Sequence, residues 1–212
     1  MSTGVATPGS TDPGSAPTGN TFDKYGSTNP VVRRLMGRFH ETLDELWAQA
    51  NPSSVLDVGC GEGVLTYEWA QRLGDKPIVG IDLDDPELRA LWATRERPNL
   101  EYRIEEATRL PFGDGEFDLA TAIEVLEHVP DPEATVAEMA RVANRHLLVS
   151  VPREPMWRGL NMARGSYVKC LGNTPGHVNH WSKGSFAKLL GRHGHVAEAR
   201  SPFPWTMLLV RL

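Results

Sequence analysis

A short apolar run, Val55-Leu56-Asp57-Val58, breaks into three glycines at alternate positions, Gly59, Gly61 and Gly63, and this stretch constrains the chain more than any other. A buried parallel strand reads this way when it empties into a tight loop and then a helix. Glycine has no Cβ, so a flat ligand can lie on such a loop's backbone while the amides of the following helix face its polar groups. Spacing decides which ligand. A dinucleotide fingerprint needs G-x-G-x-x-G; here the spacing is G-x-G-x-G, and Val64 stands in place of the third glycine. No Gly-Lys-Ser/Thr follows, which excludes a P-loop. A second apolar run, Ile78-Val79-Gly80-Ile81, ends at Asp82, where a carboxylate can accept from both hydroxyls of a ribose. Together these features point to a nucleoside cofactor that lacks phosphates.

The rest of the chain alternates between strand and helix. Helical spacing predicts crossover helices over 64–73, 85–95 and 131–143, and 100–104 reads as a third strand. That alternation implies a parallel sheet with right-handed crossovers. Residues 1–20 are almost all Ser, Thr, Gly, Pro and Ala, a composition that cannot offset chain entropy, so a disordered tail is expected there. From Phe22 the chain is polar with two aromatics, then Asn29 or Thr28 caps a helix opened by Pro30 and carried by Val31, Leu35, Phe39, Leu43, Leu46 and Trp47. Beyond Pro152 come a helical stretch over 157–171, a Gly/Pro/Asn-rich loop over 172–182 and a helix over 183–193 capped by Ser182. The 212 residues, 40% of them hydrophobic, suffice for one α/β core, with no internal repeat.

At this point the chain resembles the class I S-adenosylmethionine-dependent methyltransferases, of the small-molecule type. Besides the glycine loop, Glu106-Ala107-Thr108-Arg109-Leu110-Pro111-Phe112 looks like the family's D-A-x-x-L-P-F segment. The stretch 117–132, with Glu124-Val125-Leu126-Glu127-His128-Val129-Pro130-Asp131-Pro132, looks like its fourth strand and following loop, and 146–152 like its fifth strand. The resemblance implies a doubly wound, seven-stranded Rossmann-like α/β sheet closed by an antiparallel hairpin over 195–200 and 205–212. It divides residues 21–212 into N-terminal lid helices (21–50), a cofactor-binding core (53–152) and substrate-side elements (153–212).

S-adenosyl-L-methionine is the implied cofactor, and Asp57, Gly59, Cys60, Gly61, Asp82, Leu83, Glu106, Ala107 and Glu124 are its expected contacts. Asp57 either favours the methionine ammonium or bonds loop amides. Asp82 takes the ribose, Leu83 covers one adenine face, and Glu106 takes the place of the aspartate that contacts the adenine amino group. Imidazole titrates near neutral pH, so histidines are the candidates for activating an acceptor. His128 follows the fourth strand, and His177 and His180 lie in the 172–182 loop beside Trp181, so these three are expected at the catalytic side. The competing reading is a connecting loop whose histidines bond backbone carbonyls. Tyr25, Trp157 and Trp181 are the expected substrate contacts, although a core-facing helix explains Trp157 equally.

The expected activity is methyl transfer to oxygen or nitrogen of a small molecule. A macromolecular methyltransferase and a non-catalytic cofactor-binding subunit are the rivals. A net charge of −5 argues against a nucleic-acid substrate. No apolar stretch approaches the ~18–20 residues that span a bilayer, no signal pattern opens the chain, and two cysteines, Cys60 and Cys170, read as reduced thiols of a cytoplasmic enzyme. No metal is expected: His177-x-x-His180 supplies two ligands, with no third at a recognisable spacing. Monomer and homodimer remain equally open.

Overall fold

The computed structural model describes residues 29–163, 165, 170–174 and 176–212. The elements run α1 (Pro30–Ala50), β1 (Val55–Val58), α2 (Val64–Leu73), β2 (Ile78–Asp82), α3 (Pro86–Trp92), β3 (Leu100–Ile104), β4 (Phe117–Ile123), α4 (Pro132–Val142), β5 (Ala143–Pro152), α5 (Met156–Ala163), α6 (Lys183–Leu190), β6 (His195–Arg200) and β7 (Trp205–Arg211). They build one seven-stranded sheet of order β3-β2-β1-β4-β5-β7-β6. The first five strands of that order pair in parallel, and β7 runs antiparallel between β5 and β6. This is the doubly wound, seven-stranded sheet that the resemblance implied, closed by an antiparallel hairpin.

Strands β1 and β4 lie inside the sheet and are buried almost throughout, which is why they read as unbroken apolar runs and not as alternation. Strand order reverses at β1, between β2 and β4, and it is beyond the carboxyl ends at such a reversal that open α/β sheets form their ligand crevice. Two apolar layers cover the sheet. Val136, Met139 and Val142 of α4 pack with Phe186, Leu189 and Leu190 of α6 on one face. On the other, α1 supplies Phe39, Leu43, Leu46 and Trp47, and α2 supplies Trp69, Ala70 and Leu73.

Local chemistry sets the helix ends. The Asn29 side chain accepts from the Val31 amide ahead of Pro30, Asp85 caps α3, Asp131 caps α4, and Ser182 forms a capping box with Ser185. Two expectations differ from the structure, the place of α1 and the end of α6. The helix expected as a lid is a core layer: α1 buries Leu43 and Leu46 completely, stacks Trp47 on Trp69 at 4.6 Å and sets Phe39 against Trp205 at 4.9 Å. What precedes Asn29, including the expected tail and Tyr25, lies outside the described residues. Helix α5 begins at Met156 and extends only to Ala163 before a break in the described residues, and α6 stops at Leu190, where Gly191 closes it.

Candidate active site

The loop after β1 is held from three sides. Gly59 and Cys60 donate their amides to the Ile81 carbonyl at 2.8 and 2.9 Å, and the Gly61 amide donates to Asp82 Oδ2 at 2.7 Å. From behind, Trp92 Nε1 donates to the Gly61 carbonyl (2.8 Å) and the Tyr102 hydroxyl to the Gly63 carbonyl (3.1 Å). The two rings stack at 5.1 Å with 5° between their planes. Gly63 has φ +75°, and a Cβ there would meet the Tyr102 oxygen at 2.5 Å, so the ring occupies the space a side chain would need.

Asp57 faces inward. It is 3% exposed, and the hydroxyls of Thr66 and Thr121 donate to its two oxygens at 2.6 and 2.7 Å. Burial pushes its pKa up to about 6, against the lowering effect of the two hydroxyls, and the Asp82 charge adds to the rise. Through these two hydroxyls Asp57 joins β1, α2 and β4 behind the loop, a set of partners that neither reading of the sequence named. Burial also raises the Cys60 thiol far above its ordinary range, with Asp57 and Asp82 adding to it, so the thiol is inert.

Asp82 sits at the carboxyl end of β2, its Oδ1 bonded by the Leu83 amide at 2.8 Å. Burial raises its pKa, while the amides of Gly61 and Leu83 pull it down. Leu83 beside it is 53% exposed, an apolar side chain left facing the crevice end. Glu106 is exposed and Ala107 packs partly against the core. The segment carrying them is pinned by Arg141, which donates to the carbonyls of Leu110 (2.9 Å) and Phe112 (2.8 Å), while Glu138 accepts the Leu110 amide. Glu124, just past β4, has φ +61°; Trp205 Nε1 donates to its Oε2 at 2.7 Å and Ser150 Oγ lies 3.3 Å from Oε1.

The histidine loop folds back onto the segment after β4. The amides of Val178 and Asn179 donate to the Glu127 carbonyl, and Asn179 Nδ2 to the carbonyls of Leu126 and Val129. Asn161 of α5 holds the same loop through the Gly172 carbonyl at 2.8 Å. His177 is consequently buried, its ring edge-on to His128 at 4.8 Å and near-parallel to Trp157 at 6.3 Å. Trp157 Nε1 bonds Thr174 Oγ1 at 2.9 Å. The structure thus brings His128, His177 and Trp157 together. His180 is exposed and lies against Asn173 Oδ1 at 2.7 Å, and Trp181 packs on Phe186, on the core layer under α6. Sequence reasoning passed over Glu127, which is buried beside His128, and the asparagines that lock the loop; the run of Asn and Gly around His177 was their signal.

With this geometry in place, comparison with known proteins is informative. Residues 56–146, from β1 into β5, match the family model described as a methyltransferase domain. This stretch, under half of the chain, is similar to S-adenosylmethionine-dependent methyltransferase domains. Its similarity to a ubiquinone biosynthesis O-methyltransferase from Hahella chejuensis is 40% identity over 92 residues, 42% of this chain and 38% of that one. To a norajmaline N-methyltransferase from Rauvolfia serpentina it is 33% over 131 residues, 59% of this chain and 44% of that one. The chain therefore spans less than half the length of these relatives. A solved S-adenosylmethionine-dependent methyltransferase from Aquifex aeolicus shares the fold, with a TM-score of 0.65 at 19% identity over 86% of this chain and 93% of that one. The family match ends near the start of β5, so the loop with His177 and helices α5 and α6 lie outside it. No helix among the described residues is long and apolar enough to cross a membrane.

Proposed function

We propose that this protein transfers the methyl group of S-adenosylmethionine to an oxygen of a small, largely apolar acceptor. The observation that carries the reading is the junction of the glycine loop with Asp82 at the strand-order reversal, where open α/β sheets hold ligands. In this reading each Asp82 oxygen keeps a lone pair for a ribose hydroxyl. Leu83 lies on the adenine, Glu106 and Ala107 meet the adenine edge, and Gly59, Cys60 and Gly61 offer backbone to the methionine part. Asp57 acts through its threonines, and Glu124 fixes the end of β4.

Methyl transfer is an in-line displacement. The acceptor oxygen's lone pair forms the O–C bond as the C–S bond breaks, and the sulfonium sulfur takes the bonding pair to give S-adenosylhomocysteine. The electrophile is already charged, so the protein chiefly orients and desolvates. A hydroxyl acceptor must also lose its proton, and His128 and His177, on the loop after β4 and the loop that covers it, are placed for that side of the site. His180 and Trp157 would border the acceptor; Trp181 serves packing first. Two free cysteines, Cys60 and Cys170, suit a reducing compartment such as the cytosol.

Oxygen is favoured over nitrogen because O-methyltransferases recur among the relatives. The test is a panel of phenols, catechols and secondary amines incubated with the purified protein and methyl-labelled cofactor. Label recovered as methyl iodide after hydriodic acid cleavage marks O-methylation. Label confined to amine products would replace this reading with an N-methyltransferase.

A further inference from the structure

The fold assembles a three-ligand constellation that the sequence spacing concealed. Glu127, His128 and His177 each offer one donor atom, and these atoms lie within 4.8 Å of one another. The two histidines come from segments 49 residues apart, and His180, the neighbour expected to join His177, lies against Asn173 instead. We propose that Glu127, His128 and His177 form a binding site for a divalent transition metal of the zinc type, with a coordination position left for the acceptor.

Four observations support it. The donor set, two imidazoles and one carboxylate, is that of catalytic zinc sites, which keep an open position. A tetrahedral zinc ion with ligands at about 2.1 Å has its donors about 3.4 Å apart, so closure from 4.8 Å takes only small side-chain rotations. His128 Nδ1 lies 3.0 Å from the Gly176 carbonyl, which only accepts, so Nδ1 carries the proton and the outer bond that orients a ligating imidazole is in place. The frame is also rigid: the Val178 and Asn179 amides, together with Asn179 Nδ2, tie the His177 loop to the segment of Glu127 and His128. Glu127 and His177 are buried while His128 is exposed, so access is from one side only.

The site is next to the cofactor loop. Val125, two residues before Glu127, packs against Gly59 so closely that a Cβ on that glycine would meet Val125 Cγ2 at 2.5 Å. A metal there would bind the acceptor hydroxyl through oxygen and let its proton pass to water, leaving the oxyanion that attacks the methyl carbon. This role rests on the methyl-transfer reading, with the metal taking over from the two histidines the activation of the hydroxyl; the site itself does not rest on it.

The test is a titration of the chelator-treated full chain with Zn²⁺, and separately with Co²⁺, in the absence of cofactor and acceptor. One equivalent of tight binding is expected, with a visible Co²⁺ spectrum and an X-ray absorption shell of nitrogen and oxygen containing two imidazoles. His177→Ala and Glu127→Gln should each weaken Zn²⁺ binding about 100-fold or more, whereas His195→Ala, on the edge strand β6, should leave it unchanged. If a variant fails to fold by circular dichroism, the absorption shell of the native protein decides. No stoichiometric binding, a sulfur ligand, or equal affinity in folded His177→Ala and Glu127→Gln would overturn the site. Metal binding without methyl transfer would leave the site standing and refute the activity.

Discussion

Gly61 donates its amide to Asp82 Oδ2 across 2.7 Å, so the carboxylate that ends β2 is also a wall of the loop that ends β1. Strand β2 thereby shapes the cofactor loop before any cofactor arrives. Asp82→Asn turns one acceptor oxygen into a donor facing an amide. It should weaken S-adenosylmethionine binding by about 1–3 kcal/mol, or roughly 5- to 150-fold, by calorimetric titration. Unchanged affinity would remove Asp82 from the proposed cofactor site.

Asp57 makes stability depend on pH. Its folded pKa of about 6 lies above the ordinary carboxylate value of 3.8, so the fold penalises its charged form. The sign follows from proton counting: between those values the folded state binds more protons than the unfolded one, so stability falls as pH rises. The stabilisation amounts to roughly 3 kcal/mol, present below pH 4 and gone by about pH 7. Asp57→Asn should flatten this segment of a urea-unfolding series without cofactor. A variant curve parallel to the native one would show that Asp57 does not carry the effect.

Two glycine-to-alanine substitutions should differ in sign. Gly37 is exposed within α1 with nothing within 4 Å of a Cβ, so Gly37→Ala should stabilise the protein by about 0.5–1 kcal/mol. Gly63→Ala places a methyl at 2.5 Å from the Tyr102 hydroxyl at a φ of +75°, and Trp92 stacks on the ring that would have to move. A loss of about 1–3 kcal/mol is expected, from backbone strain and a displaced hydrogen bond. Equal thermal shifts for both variants would contradict this packing.

Helix α1 gives a further check. Leu43 is 1% exposed against the sheet, so Leu43→Ala should cost about 2–5 kcal/mol in chemical unfolding. A removable lid would instead leave stability nearly unchanged.

The sequence made some parts of this molecule legible and hid others for physical reasons. Apolar runs and alternation located β1 to β3, the family resemblance added β4 and β5, and Asn29, Pro30 and Ser182 announced helix starts because a cap is a local bond. The glycine loop and Asp82 were legible because each ends an apolar run. The helix expected as a lid was misjudged because Leu43 and Leu46 show an apolar stripe but not what covers it. The Trp92–Tyr102 buttress joins α3 to β3, and the Glu127–His128–His177 set joins loops 49 residues apart; neither leaves a spacing to read. Glu124 was noticed as a neighbour, but its bond to Trp205, 81 residues away, needed the sheet.

The most direct test of the central claim is transfer of labelled methyl from S-adenosylmethionine into a cell extract by the purified native protein and by Asp82→Asn. The products are separated into small-molecule, protein and nucleic-acid fractions. Label in the small-molecule fraction, at least several-fold lower with Asp82→Asn at subsaturating cofactor, is the predicted result. Label confined to protein or nucleic acid, or cofactor binding with no transfer to any fraction, would contradict it.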